Sequence, residues 1–187
     1  MAAFGPNSAV AITSRENSSV PTAELPLPPY TYVPNVVPHP ISDAEGHWFG
    51  VADPYKQWSN KRIFGWGQRL FDAGYYWESH ESWEHLWLKL GRTTREAMIL
   101  KGLIKLAACG VKCLECNTNG AMRHASRASQ LLKNDTNSEI FNAAVIRSAR
   151  KIATIAACNP PLPEQVSDGR PRVLDGFGPL NCDPDLH

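Results

Sequence analysis

The stretch WESHESWEHLW, Trp77 to Trp87, packs three tryptophans, two histidines and three glutamates into eleven residues. Gly74 and Gly91 bracket it and no proline lies between them, so it reads as one helix over about 75–90. On a helical wheel His80 and Glu84 stand one turn apart, in the middle of a stripe made by Tyr76, Trp77, Trp83, Trp87 and Leu88. Glu81 borders that stripe, while Glu78, His85 and Lys89 form a wet face. An unpaired carboxylate on a core-facing stripe is costly, so it either protonates or finds a positive partner. Three solutions fit. His80 and Glu84 pair with each other, a Lys or Arg from a neighbouring helix reaches in, or a metal ion sits between them, since His and Glu at i, i+4 reach one ion. Ionisable groups in such surroundings cluster at functional sites, although a satisfied polar pair in a core gives the same pattern.

Working outward, 187 residues suffice for one domain with a core of its own. A net charge of +1 speaks against nucleic acid or an anionic membrane surface as partner. No apolar run approaches the roughly 20 residues of a transmembrane helix. The first residues lack the basic start and apolar core of a signal peptide. Five cysteines, an odd number, then point to free thiols and a cytoplasmic, reducing compartment.

Proline sets the organisation. Eight of the 15 prolines lie in residues 1–40 and six lie from Pro160 onward, with only Pro54 between. The expected division is a disordered extension over 1–24, a proline- and aromatic-rich lead-in over 25–52, a helical domain over 53–158 and an irregular tail over 159–187. In the helical domain Asp53-Pro54 opens a first helix to about Asp72, with a break near Gly65 and Gly67. The quoted helix is the second. Thr93 with Glu96 forms a capping box for a third, over about 94–116. That helix is apolar almost all round except for Lys101, Lys105 and Lys112, as expected of the centre of a bundle. A fourth follows Asn119-Gly120, with Ala121, Ala125, Ala128 and Leu132 on one face. A fifth starts from a capping box of Thr136 and Glu139 and runs to about Ala157, with Phe141, Ala144, Val145, Ser148 and Ile152 facing in. The fold class is therefore all-α: one antiparallel bundle of about five helices, built as stacked helical hairpins. FDAGYY at 71–76 and NTNGAM at 117–122 both place a glycine between helices, a faint echo of tetratricopeptide hairpins.

FDAGYYWESHESWEHLW followed by LKGLIKLAACGVKCLECNTNGAMRHASRASQLL resembles the bacterial and archaeal family called domain of unknown function 309. The family hallmark His-x-x-x-Glu-x-x-Trp/Tyr is matched by His80, Glu84 and Trp87. Glu78 before the histidine, Glu81 after it and the apolar GLI-x-LA helix match as well. The resemblance covers roughly residues 60–132. It implies an all-helical bundle with a metal site, under the label of metal-dependent hydrolase, and supplies no reaction. One departure is Lys105, where a neutral residue or glutamine is expected. Pointed at Glu84, Lys105 replaces a metal as the countercharge.

The lead-in is stiffened by proline and carries Tyr30, Tyr32, Trp48 and Phe49, so it is expected to lie over the bundle. It also holds His39 and His47, which are either exposed loop histidines or the source of a further ligand for His80 and Glu84. Cys109, Cys113 and Cys116 share a helix face and read as packing, since no second CxxC completes a zinc set. His124 reads as a surface residue. The expected site has His80, Glu84 and His47 around one divalent ion whose identity the ligand types leave open. Glu81 acts there as a third ligand or general base, and Trp77, Trp83, Trp87, Glu78, Lys105 and His39 form its wall or support. A small molecule or peptide is the expected partner. The alternative reading is a non-catalytic, tetratricopeptide-like module with a peptide groove lined by Trp83 and Trp87.

Overall fold

The Asp53 carboxylate accepts the Tyr55 N–H at 2.8 Å and opens a short 3-10 helix, Pro54–Gln57, whose proline needs no partner for the N–H it lacks. Ser59 then caps α1 (Asn60–Asp72) by accepting from Arg62 N–H. The interruption expected near Gly65 and Gly67 thus falls at Trp58-Ser59, because a polar cap decides a helix start. Both glycines lie buried within α1. The computed structural model describes residues 25–134, 137–161, 163 and 173–177, and the expected extension over 1–24 lies outside them.

Four further helices follow: α2 (Tyr76–Leu90), α3 (Arg95–Leu114), α4 (Thr118–Leu131) and α5 (Ala143–Cys158). Each packs on its neighbour in the chain, and the short connections among the first four turn each helix back along the one before it. α3 touches α2, α4 and α5 and contributes buried residues from Ala97 to Cys113, as an all-round apolar helix should. There is no strand among the described residues, and no helix among them is long and apolar enough to cross a membrane. The all-α bundle is the observed architecture.

Local details depart from expectation for identifiable reasons. Thr94, not Thr93, caps α3 by accepting from Ala97 N–H at 3.1 Å. α5 starts at Ala143 on an Asn142 cap, past Glu139, and Thr136 of the expected capping box lies outside the described residues. Its buried face is Ile146, Ala149, Ile152, Ala153 and Ala156, while Ala144 is exposed. Gly74 takes φ 86°, the left-handed turn expected at the α1–α2 corner. Gly120 does not repeat it: it lies inside α4, hydrogen-bonded to the Asn117 cap, and Cys116 at φ 56° makes that corner. The tetratricopeptide echo therefore dissolves. Cys109 and Cys113 are buried free thiols, but Cys116, at the corner, is exposed.

The α1–α2 contact fixes the phase of the decisive helix. Three α2 side chains donate to α1 carbonyls: Ser79 Oγ to Gly67 at 2.8 Å, Ser82 Oγ to Ile63 at 3.0 Å and Trp83 Nε1 to Phe64 at 3.2 Å. A Cβ on Gly67 would stand 2.4 Å from Trp83 Nε1, so the missing side chain is what lets the helices close. The core face of α2 is thus Tyr76, Ser79, Trp83 and Leu86, with Glu78 and Ser82 buried beside it. His80 and Glu84 lie on the rim of this face, half-buried, and not in its middle.

Part of the tail docks as well. The Tyr76 hydroxyl accepts from Leu174 N–H at 2.8 Å and Val173 N–H at 3.1 Å. Phe177 stacks on Phe71 with centroids 4.5 Å apart.

Candidate metal centre

His80, Glu81 and Glu84 occupy one edge of α2. Each offers one ligand atom, and those three atoms lie within 4.8 Å of one another. His80 Nδ1 and Glu81 Oε1 are already 3.2 Å apart, with the two side chains 26% and 28% exposed. The helix brings them together for a simple reason: i and i+4 stack one turn apart, and i+1 reaches the same edge from the side. In a tetrahedral zinc site the donor atoms stand roughly 3.4 Å apart, given bonds of about 2.0–2.1 Å. Half-exposed carboxylates can close that difference by side-chain rotation, so the donor set fits a divalent ion. A nitrogen with two carboxylate oxygens suits several metals.

The remaining expected site residues are placed differently. Glu78, assigned to a wet face, is fully buried. It accepts the Tyr32 N–H at 2.9 Å and the Thr31 hydroxyl at 3.1 Å. Burial pushes its carboxyl up to about 7, against hydrogen bonds that favour the charged form, with the Glu81 charge adding to the rise. His47 arrives from the lead-in, as expected of it, but at Glu78: Nε2 lies 3.8 Å from Oε1. Its side chain is 6% exposed and burial lowers its pKa to about 4, so it stands neutral there, and neither ring nitrogen has a hydrogen-bond partner among the described residues. His39 Nδ1 accepts from Ile41 N–H and Ser42 N–H, which turns the lead-in chain, and the ring packs on Trp77.

Trp77 belongs to the lead-in contact rather than to a wall around His80. Tyr32, His39 and Trp48 all pack on its ring, at centroid distances of 5.3, 5.2 and 5.8 Å. Trp83 is sealed in the core against Phe64 and Phe71. It lines no groove, which removes the peptide surface expected of Trp83 and Trp87. Trp87 is half-buried under the Arg92 guanidinium, at 5.3 Å. The three tryptophans therefore do not form an enclosure for the triad.

Lys105 makes no ion pair with Glu84 among the described residues. It lines a groove between α3 and α4 with Lys112, Arg123, His124 and Arg127. His124, expected on the surface, is half-buried there. Its pKa is lowered by burial first, then by the fields of Lys105, Lys112, His80 and Arg123. The basic residues of α4 were missed because they carry no motif; the readable signal was Arg123 and Arg127 at i, i+4 opposite the lysine stripe of α3.

The model of the family described as Domain of unknown function (DUF309) matches residues 64–124, which are 61 of the 187. The resemblance carried by His80, Glu84 and Trp87 therefore holds over that segment, from α1 through His124. No curated protein and no solved structure matches the chain.

Proposed function

We propose that this protein holds one divalent metal ion on His80, Glu81 and Glu84 and acts as a metal-dependent hydrolase. The observation that supports the reading is the convergence of the three donor atoms within 4.8 Å on one accessible helix edge. A histidine and two carboxylates leave coordination positions open, which is the pattern of a catalytic rather than a structural site. Bound there, such an ion supplies Lewis acidity and lowers the pKa of a bound water toward neutrality. Glu81 serves as the third ligand in this arrangement, and the expected ligand role of His47 gives way to its contact with Glu78.

Metal content after mild purification and melting curves with added zinc, manganese, nickel or iron test the reading. At a free ion concentration 100 times Kd, binding stabilises by about 2.7 kcal/mol. For a domain of this size that raises Tm by roughly 5–10 °C. Glu84→Gln should lose most of the rise. Glu81→Gln should reverse sign: it stabilises the metal-free protein slightly by relieving carboxylate repulsion, and it weakens the metal-loaded one. A wild-type Tm indifferent to all four metals, or a rise that both variants keep, refutes the site.

A further inference from the structure

The groove between α3 and α4 has a volume of about 380 Å³. Four permanent cations line it: Lys105 and Lys112 from α3, Arg123 and Arg127 from α4. Lys112 is neutralised by Glu115, at 2.7 and 2.8 Å. The other three make no ion pair among the described residues; Arg123 donates to the Asn119 carbonyl and Arg127 to Gln130 Oε1. Three uncompensated positive charges thus meet in one groove of a chain whose net charge is +1. Like charges gathered without acids repel, so the arrangement lowers stability unless an anion joins it. Asn117 and Gly120, at the N-terminal end of α4, line the same groove and add the positive end of a 14-residue helix.

His124 lines the groove beside these cations, and its imidazole adds a hydrogen-bonding group to them. Guanidinium groups grip phosphate oxygens two at a time, which lysines alone do not do. The groove is of the size that takes small ligands.

We propose that this groove binds a small phosphate-bearing anion, held by Lys105, Arg123, His124 and Arg127. Lys105, the departure from the family pattern, then serves the ligand and not Glu84.

Calorimetric titration of the full chain with inorganic phosphate tests this. In buffer with a chelator, wild type should bind saturably. Arg123→Ala/Arg127→Ala, which changes two exposed side chains, should weaken binding at least tenfold with an unchanged circular dichroism spectrum and Tm. Lys105→Gln should weaken it severalfold, and His80→Ala should keep it. No saturable binding, binding that ignores the arginine substitutions, or a short oligonucleotide that displaces phosphate at far lower concentration overturns the groove as a small-anion site.

Discussion

Glu78 gives the most direct test of how the lead-in is held. Its carboxyl is fully buried and takes the Tyr32 N–H and the Thr31 hydroxyl, so it ties residues 31–32 to the middle of the bundle. Replacement by alanine leaves both donors without an acceptor in a half-buried contact. An unsatisfied buried donor costs about 1–3 kcal/mol, and water reaching the half-buried groups recovers part of that. Relief of the buried carboxylate offsets another part. A net loss of about 2–3 kcal/mol is expected for Glu78→Ala, or roughly 4–10 °C in Tm. At pH 5, where the raised carboxyl is still protonated, Glu78→Gln keeps an oxygen for Tyr32 N–H and offers its amide to Thr31, so it should stay within about 1 kcal/mol of wild type. Urea unfolding followed by tryptophan fluorescence measures both, because Trp48 and Trp77 sit in the contact. Limited proteolysis should cut residues 25–50 faster in Glu78→Ala than in wild type. If Glu78→Ala costs less than about 1 kcal/mol and leaves the cutting rate unchanged, the clasp does not hold the lead-in, and the aromatic contacts on Trp77 alone carry it.

Two further outcomes follow from the buried groups. In metal-free buffer His47, lowered from 6.5 to about 4, contributes stability that is lost as pH falls through that window, while Glu78, raised from 4.5 to about 7, contributes stability that is lost as pH rises through its own. Each amounts to about 3 kcal/mol and the two offset, so His47→Gln should expose a decline in stability from pH 4.5 to 7 and Glu78→Gln a decline on acidification from 6.5 to 4; pH-stability curves parallel to wild type refute the pairing. Gly67→Ala places a methyl 2.4 Å from the Trp83 indole nitrogen and should destabilise by about 2 kcal/mol despite a helix-propensity gain of about 1 kcal/mol; a neutral melting temperature refutes the close helix contact.

The bundle was legible because proline spacing, glycine corners and polar caps act locally. Even so, the caps were ambiguous by one residue at Thr93 and Thr94, since either hydroxyl can take the same N–H. The phase of α2 was harder. Tyr76, Ser79, Trp83, Leu86 and Leu90 follow a 3-4-3-4 spacing that marks an interhelical seam. A serine in the seam hid it: counted as polar, it shifted the apparent centre of the stripe toward Trp77 and Trp87. What turns Ser79 and Ser82 inward is a property of α1, whose Gly67 lets the helices close and whose Gly67 and Ile63 carbonyls receive them. Glu78 was invisible for the same kind of reason, because its partners lie some 46 residues away in the chain. The His80/Glu84 pair was legible because i and i+4 stack one turn apart on any helix, whatever its phase.

The rotated phase changes the physical argument for the metal without removing the site. In a core, His80 and Glu84 would need a countercharge to offset burial. On a rim where His80 and Glu81 are 26% and 28% exposed, water meets much of that need, so burial no longer argues for an ion. The remaining argument is convergence. Donor atoms of two carboxylates held within 4.8 Å repel by on the order of 1 kcal/mol in water-like surroundings and more where the dielectric is lower. Free side chains on a helix edge could rotate apart and avoid that repulsion. Lys105, the cation best placed by sequence to relieve it, faces the groove instead. The metal reading therefore expects a cluster that is less favourable when empty than when loaded. That is why the sign of the Glu81→Gln effect, with and without metal, discriminates a ligand set from an ordinary acidic edge.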